Sequence, residues 1–189
     1  MNWKPNMSFQ QKAIFFDRDG VINRLVKRED GSFTSPWNIR EFEYYPYVIE
    51  YFNYVKQHGY LTFIVTNQPG INDGDMSLEE HLEIVSDLYA WLHPNKILYE
   101  SDRNSPRYKP SNLMLEELIE EYNVDRSKSF MVGDRWKDIV PGKNSKLNTI
   151  LIGNTEPYFH EVKPDYTVYT FKNACDLIME IDNGWFRGK

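Results

Sequence analysis

A chain of 189 residues with 41% hydrophobic and 26% charged side chains has enough apolar content for one sizeable core, and its make-up does not suggest disorder. Its net charge of −6 disfavours sequence-independent nucleic-acid binding, which depends on clustered lysine and arginine. A single cysteine, Cys175, rules out an intrachain disulfide and speaks against a cysteine-built zinc site, and no apolar run approaches membrane-spanning length.

Met1 to Gln11 reads as a loosely held arm without the apolar core of a signal peptide, which makes the cytoplasm the default location. Lys12 to Asp17 is the first strand. Its apolar run Ala13-Ile14-Phe15-Phe16 has the pattern of a strand buried on both faces, and Gly20 breaks it. Asp17 and Asp19 then stand at the C-terminal end of that strand, facing one crevice, with Arg18 turned away. Two like charges so close gain nothing for stability, but they suit a divalent cation and a phosphate.

Asn23 to Trp37 is polar and carries Gly31, Ser32, Ser35 and Pro36, so it reads as a long loop overhanging the strand end. Pro46 is expected to open a helix running through Val48, Ile49, Phe52 and Val55 to near Gly59. Tyr60 to Thr66 is a second buried strand, ending in Thr66-Asn67-Gln68-Pro69-Gly70. Ser77 caps the next helix with Glu80 as its capping-box partner, and Leu78, Leu82, Val85, Leu88 and Leu92 form its apolar face. Lys96 to Tyr99 is a third strand, followed by the polar loop Glu100 to Tyr108 and then Lys109-Pro110. Ser111 is expected to cap a helix that turns Leu115, Leu118 and Ile119 inward. Ser129 to Val132 is a fourth strand, ending in Gly133-Asp134-Arg135-Trp136-Lys137-Asp138. A short helix, a strand at Thr149 to Ile152, an extended stretch near Tyr166 to Tyr169, and a helix from Lys172 to Ile181 complete the pattern. Gly184 to Lys189 reads as a frayed end. His58, His81, His93 and His160 are scattered and read as surface or helix-end histidines.

Strands alternating with helices predict a three-layer α/β/α fold with a mostly parallel sheet and right-handed crossovers. We expect residues 1–189 to form a single domain, with its core at about 12–182 and no segment long enough for a separate cap. Asp17/Asp19, Thr66/Asn67, Lys109 and Asp134/Asp138 then all gather at one edge of the sheet. Each has an ordinary reading alone, as an acidic turn, a loop, a solvated lysine or a helix cap. Their joint placement after successive strands points to phosphate chemistry.

Asp17-Arg18-Asp19-Gly20, Thr66-Asn67-Gln68, Lys109-Pro110 and Gly133-Asp134 with Asp138 resemble the four motifs of the haloacid dehalogenase (HAD) superfamily. The detail is similar to its small capless branch, in which these motifs recur in heptose-bisphosphate and histidinol-phosphate phosphatases. The resemblance implies a phosphoric monoester hydrolase with a Rossmann-like fold. Asp17 would be the nucleophile, forming an aspartyl-phosphate, and Asp19 the acid/base. Thr66 would bind phosphoryl oxygens, and Lys109 would neutralise charge. Mg²⁺ would be held by Asp17, the Asp19 carbonyl and Asp134, with Asp138 as a direct or supporting partner. Asn67, Gln68, Arg107, Tyr108 and Arg135 are the expected substrate contacts, with Arg107 and Arg135 placed to hold a second anionic group.

The loop Glu100 to Tyr108 departs from that branch. It has neither Cys nor His where the branch often carries a zinc loop, so no zinc is expected, and Tyr108 stands where the branch has Arg. The implied substrate is a small phosphorylated metabolite such as a heptose bisphosphate. Histidinol phosphate and a polynucleotide 3′-phosphate are the alternatives. The expected assembly is a monomer or weak dimer, with no membrane partner.

Overall fold

The computed structural model describes residues 9–153 and 161–185. The sequence's arm and C-terminal tail lie largely outside these residues, as does His160. Gln11 is already pinned, its amide donating to the Asn123 carbonyl (3.0 Å) and its carbonyl accepting from Asp125 (2.7 Å).

The sheet is built on strand β1 (Ala13–Phe16), whose side chains are all buried. Ile14 and Phe16 turn to one face, and Ala13 and Phe15 to the other. A strand with no polar face needs apolar cover on both sides, and the chain supplies it in two layers. β1 lies between β4 (Leu61–Asn67) and β6 (Phe130–Gly133). With β5 (Lys96–Glu100), β7 (Asn148–Ile152) and β8 (Tyr166–Val168) the order is β5-β4-β1-β6-β7-β8, every pair parallel. Between β1 and the first long helix, β2 (Val26–Lys27) and β3 (Phe33–Thr34) form a small antiparallel hairpin.

One layer holds α1 (Val48–Gln57), α3 (Leu78–Leu92) and α6 (Phe171–Asp182), which pack Phe52, Ile84, Leu88 and Ile178 against Ile14 and Phe16. The other holds α4 (Leu113–Tyr122), whose Met114, Leu115 and Leu118 cover Phe15 and Phe63, and α5 (Trp136–Asn144). Gly142 of α5 packs so tightly that an added Cβ would stand 2.8 Å from that of Met131. A short helix α2 (Gly70–Asp73) follows β4. This is the three-layer, parallel, Rossmann-like architecture expected, and the described residues between β1 and α1 hold a hairpin rather than a cap domain.

Four local expectations are corrected. The stretch from Asn23 to Trp37 contains the β2–β3 hairpin. Arg28 pins it, with a bidentate ion pair to Glu41 (2.8 and 2.9 Å) and its guanidinium 3.4 Å from the Trp37 ring centre. Helix α1 begins at Val48 rather than Pro46, after Tyr47 in the left-handed region (φ 66°). Asn112, not Ser111, precedes α4.

The last correction concerns α3, which keeps its Ser77–Glu80 capping box but turns a different face inward. His81, Ile84, Leu88 and Leu92 are buried, while Leu78 and Leu82 are half exposed. The first turn of α3 lies against Tyr99 and near the Arg18–Asp19 pair rather than over an apolar surface. The His81 ring fills that place, 4.2 Å from the Tyr99 ring. His81 is thus a core residue and not a surface one. His58 and His93 are exposed, as expected.

Candidate active site

Because the sheet is parallel, the C-terminal ends of β1, β4 and β6 open on one edge, where α/β sheets place ligand sites. Asp17 follows β1 directly, Thr66 and Asn67 end β4, and Asp134 follows β6. Asp138 sits in the first turn of α5, and Lys109 precedes α4. Glycine makes the close approach possible. Gly20 has φ +90°, and a Cβ there would stand 2.3 Å from Asp134 Oδ2, while one on Gly133 would stand 2.1 Å from the Asp138 Cβ.

Lys109 sits at the centre of the cluster. It is 3% exposed, and its Nζ donates to Asp17 Oδ1 (2.6 Å), Asp138 Oδ1 (2.5 Å) and the Val65 carbonyl (2.9 Å). Asn67 clamps the Lys109 backbone from both sides, accepting from its amide (3.0 Å) and donating to its carbonyl (2.9 Å). The second oxygen of Asp138 accepts from the Arg135 amide at the start of α5 (3.2 Å). Burial pushes the Asp17 carboxyl up to about 7, the pull of Lys109 being outweighed by desolvation with help from Asp138 and Asp19. The two carboxylates raise Lys109, which stays protonated.

Oxygens of Asp17, Asp134 and Asp138 lie within 4.8 Å of one another. Two buried carboxylates and the nearly buried Asp134 face the Lys109 ammonium and, at the rim, the half-exposed Arg135 guanidinium 3.5 Å from Asp134 Oδ2, so negative charge exceeds positive inside the cluster. Asp134 shows the imbalance most clearly. Its Oδ1 is buried with no hydrogen-bond partner, and burial together with Asp138 and Asp17 drives its carboxyl well above the usual range. A hard divalent cation with oxygen ligands fits this set, since it would satisfy the orphaned oxygen and hold all three groups ionised. The Asp19 carboxylate stands outside this cluster, so its expected share in a metal site rests on its backbone carbonyl.

Asp19 accepts from Arg18 Nη2 (3.0 Å to each oxygen), Asn23 Nδ2 (3.0 Å) and Gln68 Nε2 (2.7 Å). Arg18 is turned away from the cavity as expected, yet it is fully buried, with its guanidinium folded back under Asp19.

Above these groups lies a cavity of about 320 Å³. Asp17, Asp19, Thr66, Asn67, Lys109, Tyr108, Asp134, Arg135 and Asp138 all line it, so the structure brings together most of the residues singled out by sequence. Two expected substrate contacts, Arg107 and Gln68, are not among the residues lining the cavity. Arg107 turns outward and pairs with Glu117 of α4 (2.8 and 2.9 Å), because the loop before it is wound around the Glu100 carboxylate. Gln68 is fully buried beneath Thr66 and does not reach the cavity wall.

The structure also adds wall residues that the sequence reading missed: Phe33 and Trp37 from the hairpin region, Arg103 paired with Asp73, and Lys137. Phe33 and Trp37 lie in the stretch already read as overhanging the strand end, Arg103 in the polar loop Glu100 to Tyr108, and Lys137 inside the last motif. Asp73 lies at the end of α2.

Comparison with known proteins accords with this geometry. Residues 1–152 match the haloacid dehalogenase-like hydrolase family. The chain is 31% identical to the D-glycero-β-D-manno-heptose-1,7-bisphosphate 7-phosphatase of Pasteurella multocida, over 88% of this chain and 95% of the relative. It is 32% identical to the corresponding phosphatase of Chlorobaculum tepidum, over 82% and 87%. In fold it is similar to the heptose 1,7-bisphosphate phosphatase of B. bronchiseptica, solved with magnesium and phosphate. That likeness has a TM-score of 0.76 at 19% identity and covers 90% of this chain and 99% of that one.

Proposed function

The chain belongs to the haloacid dehalogenase-like hydrolases, and on that premise we propose that it is a magnesium-dependent phosphatase acting on a small bisphosphorylated sugar, with heptose 1,7-bisphosphate as the leading candidate. The observation that carries this reading is the buried Asp17–Lys109–Asp138 bridge beside the orphaned oxygen of Asp134. The bridge sets an ammonium against the nucleophile's carboxylate, and the orphan supplies an unmet oxygen ligand for a divalent cation. The single-domain reading is supported by one six-stranded sheet, β1 with β4 to β8, carrying helices on both faces.

Asp17, Asp134 and Asp138, with the Asp19 carbonyl, would hold the cation. When bound, it supplies positive charge to the phosphoryl oxygens and aligns them with the nucleophile. Asp17, at the strand end and facing the cavity, attacks phosphorus. The P–O bond to the sugar breaks as the aspartyl P–O bond forms, and Asp19 delivers a proton to the departing oxygen. Water, deprotonated by Asp19, then attacks phosphorus, releasing phosphate and restoring Asp17. Lys109 neutralises charge on the transferring group and, through Asn67, is fixed in backbone position as well as by its ammonium. Arg135, whose side chain is 56% exposed at the cavity wall with its Nε 3.5 Å from Asp134 Oδ2, and Lys137, which lies over the Tyr108 ring, would be the cations that meet a second phosphate. Arg107 is not among them.

The test is phosphate release from heptose 1,7-bisphosphate, histidinol phosphate and a 3′-phosphorylated oligonucleotide, each with Mg²⁺ and with a chelator. The reading predicts Mg²⁺-dependent release that is fastest from the sugar bisphosphate. A faster oligonucleotide reaction that falls steeply with salt would replace it with end repair.

A further inference from the structure

We propose that Gln68 and Arg18, neither of which reaches the cavity, are positioning residues that aim the Thr66 hydroxyl hydrogen at the phosphoryl group. The inference rests on the phosphatase reading above and concerns how one donor of that site acquires its direction. A guanidinium has donors only. Arg18 Nη2 lies 2.8 Å from Gln68 Oε1, so the Gln68 amide is turned with its oxygen toward Arg18. The reverse orientation would set an amide nitrogen against Arg18 and an amide oxygen against Asp19 Oδ2 at 2.7 Å, which is repulsive at both ends.

The Gln68 amide nitrogen therefore faces Asp19 Oδ2 and Thr66 Oγ1, at 2.7 and 2.8 Å, and spends one hydrogen on each. Thr66 Oγ1 thus accepts from below. Its single hydrogen cannot point at Gln68 and is left for the cavity that Thr66 lines. The order runs from Arg18 to Gln68 to Thr66, and each step fixes the next. All three are buried, Arg18 and Gln68 at 0% and Thr66 at 1%, so solvent does not compete for these bonds. Without Gln68 the threonine hydroxyl could rotate, and its donor would be aimed only part of the time. The same amide also holds Asp19, so the two roles must be separated experimentally.

A double-mutant cycle separates them. kcat/KM for p-nitrophenyl phosphate covers the steps up to formation of the aspartyl-phosphate. The nitrophenolate leaves without help from an acid, so the Asp19 role is muted. Gln68→Met keeps length and removes both donors, while Thr66→Val removes the hydroxyl. Thr66→Val should lower kcat/KM by roughly ten- to a hundredfold, the effect of one charge-assisted donor. Gln68→Met should lower it by roughly three- to tenfold in the parent and by less than about twofold in the Thr66→Val background, because there is then no hydroxyl left to aim. Gln68→Leu, which also removes both donors and sets no second carboxylate against Asp19, should show the same background dependence. It decides the matter if Gln68→Met does not fold. Equal losses in both backgrounds, or no loss in the parent, would overturn the inference while the parent enzyme still turned over substrate. A parent with no phosphatase activity would instead overturn the functional reading beneath it.

Discussion

Replacing His81 by Phe should remove one distinct source of the protein's sensitivity to mild acid. The His81 ring is fully buried against Tyr99, and neither nitrogen has a hydrogen-bond partner. Burial lowers its pKa from 6.5 to about 4, with Arg18 adding to the fall and Asp19 opposing it. In the unfolded chain the same imidazole titrates near 6.5. Between these values the unfolded state binds a proton that the folded state refuses, so stability falls as pH falls from about 6.5 to about 4 and levels off below. A fall from 6.5 to about 4, at 1.36 kcal/mol for each tenfold change in proton affinity, corresponds to about 3 kcal/mol lost across that window. Phenylalanine keeps the ring contact and has no proton to take up. Urea unfolding at half-unit pH steps, with chelator present throughout, gives ΔG for both proteins. The other titrating groups cancel in the difference. The His81→Phe advantage should grow by about 3 kcal/mol between pH 7 and pH 4. Parallel curves across that window would refute the assignment of His81 as a buried neutral base.

Four further outcomes follow from the site. Mg²⁺ at a hundredfold excess over Kd should stabilise the parent by about 2.7 kcal/mol, read as a rise in Tm, and Asp134→Asn should lose most of that rise. An unchanged shift in the variant would place the cation elsewhere. Arg135→Ala should cut kcat/KM on the sugar bisphosphate by roughly ten- to a hundredfold and much less on p-nitrophenyl phosphate, whereas Arg107→Ala, whose partner is Glu117, should change neither by more than about twofold. The reverse ranking would restore the loop arginine as the substrate contact. Gly133→Ala should cost more than about tenfold in activity and about 1–3 kcal/mol in stability, since its Cβ would stand 2.1 Å from that of Asp138. Crystals of an active Gly133→Ala protein with Asp138 still on Lys109 would contradict this. Asp17→Asn should fold with a cooperative transition yet turn over no substrate.

Much of this site could be read from the sequence because each motif residue is tied to a strand end, and strand ends in a parallel sheet share one edge. The apolar runs before Asp17, Thr66 and Asp134 are enough to place those residues together. Lys109 was legible through the residues around it, although only the structure shows Asn67 holding its backbone. Residues whose place depends on a neighbour were not legible. Arg107 and Arg103 sit in the same polar loop, and which of them faces the cavity is decided by how that loop winds around the Glu100 carboxylate. The α3 face was misread because Leu88 and Leu92 serve either of two stripes. The choice between Leu78/Leu82 and His81/Ile84 is made by Tyr99, a residue of another element. Gln68 is the third residue of the Thr66-Asn67-Gln68 motif, so its place as support rather than contact is visible only from its burial.

The central claim is that phosphate passes through a covalent bond to Asp17. The most direct measurement is acid quench of the enzyme within the first turnover of its best substrate, followed by peptide mass spectrometry. The account predicts one phosphoryl group on the peptide carrying Asp17, absent in Asp17→Asn and absent when chelator replaces Mg²⁺. Rapid turnover with no phosphorylated peptide under conditions that preserve acyl phosphates, or a phosphoryl group on a different residue, would contradict it.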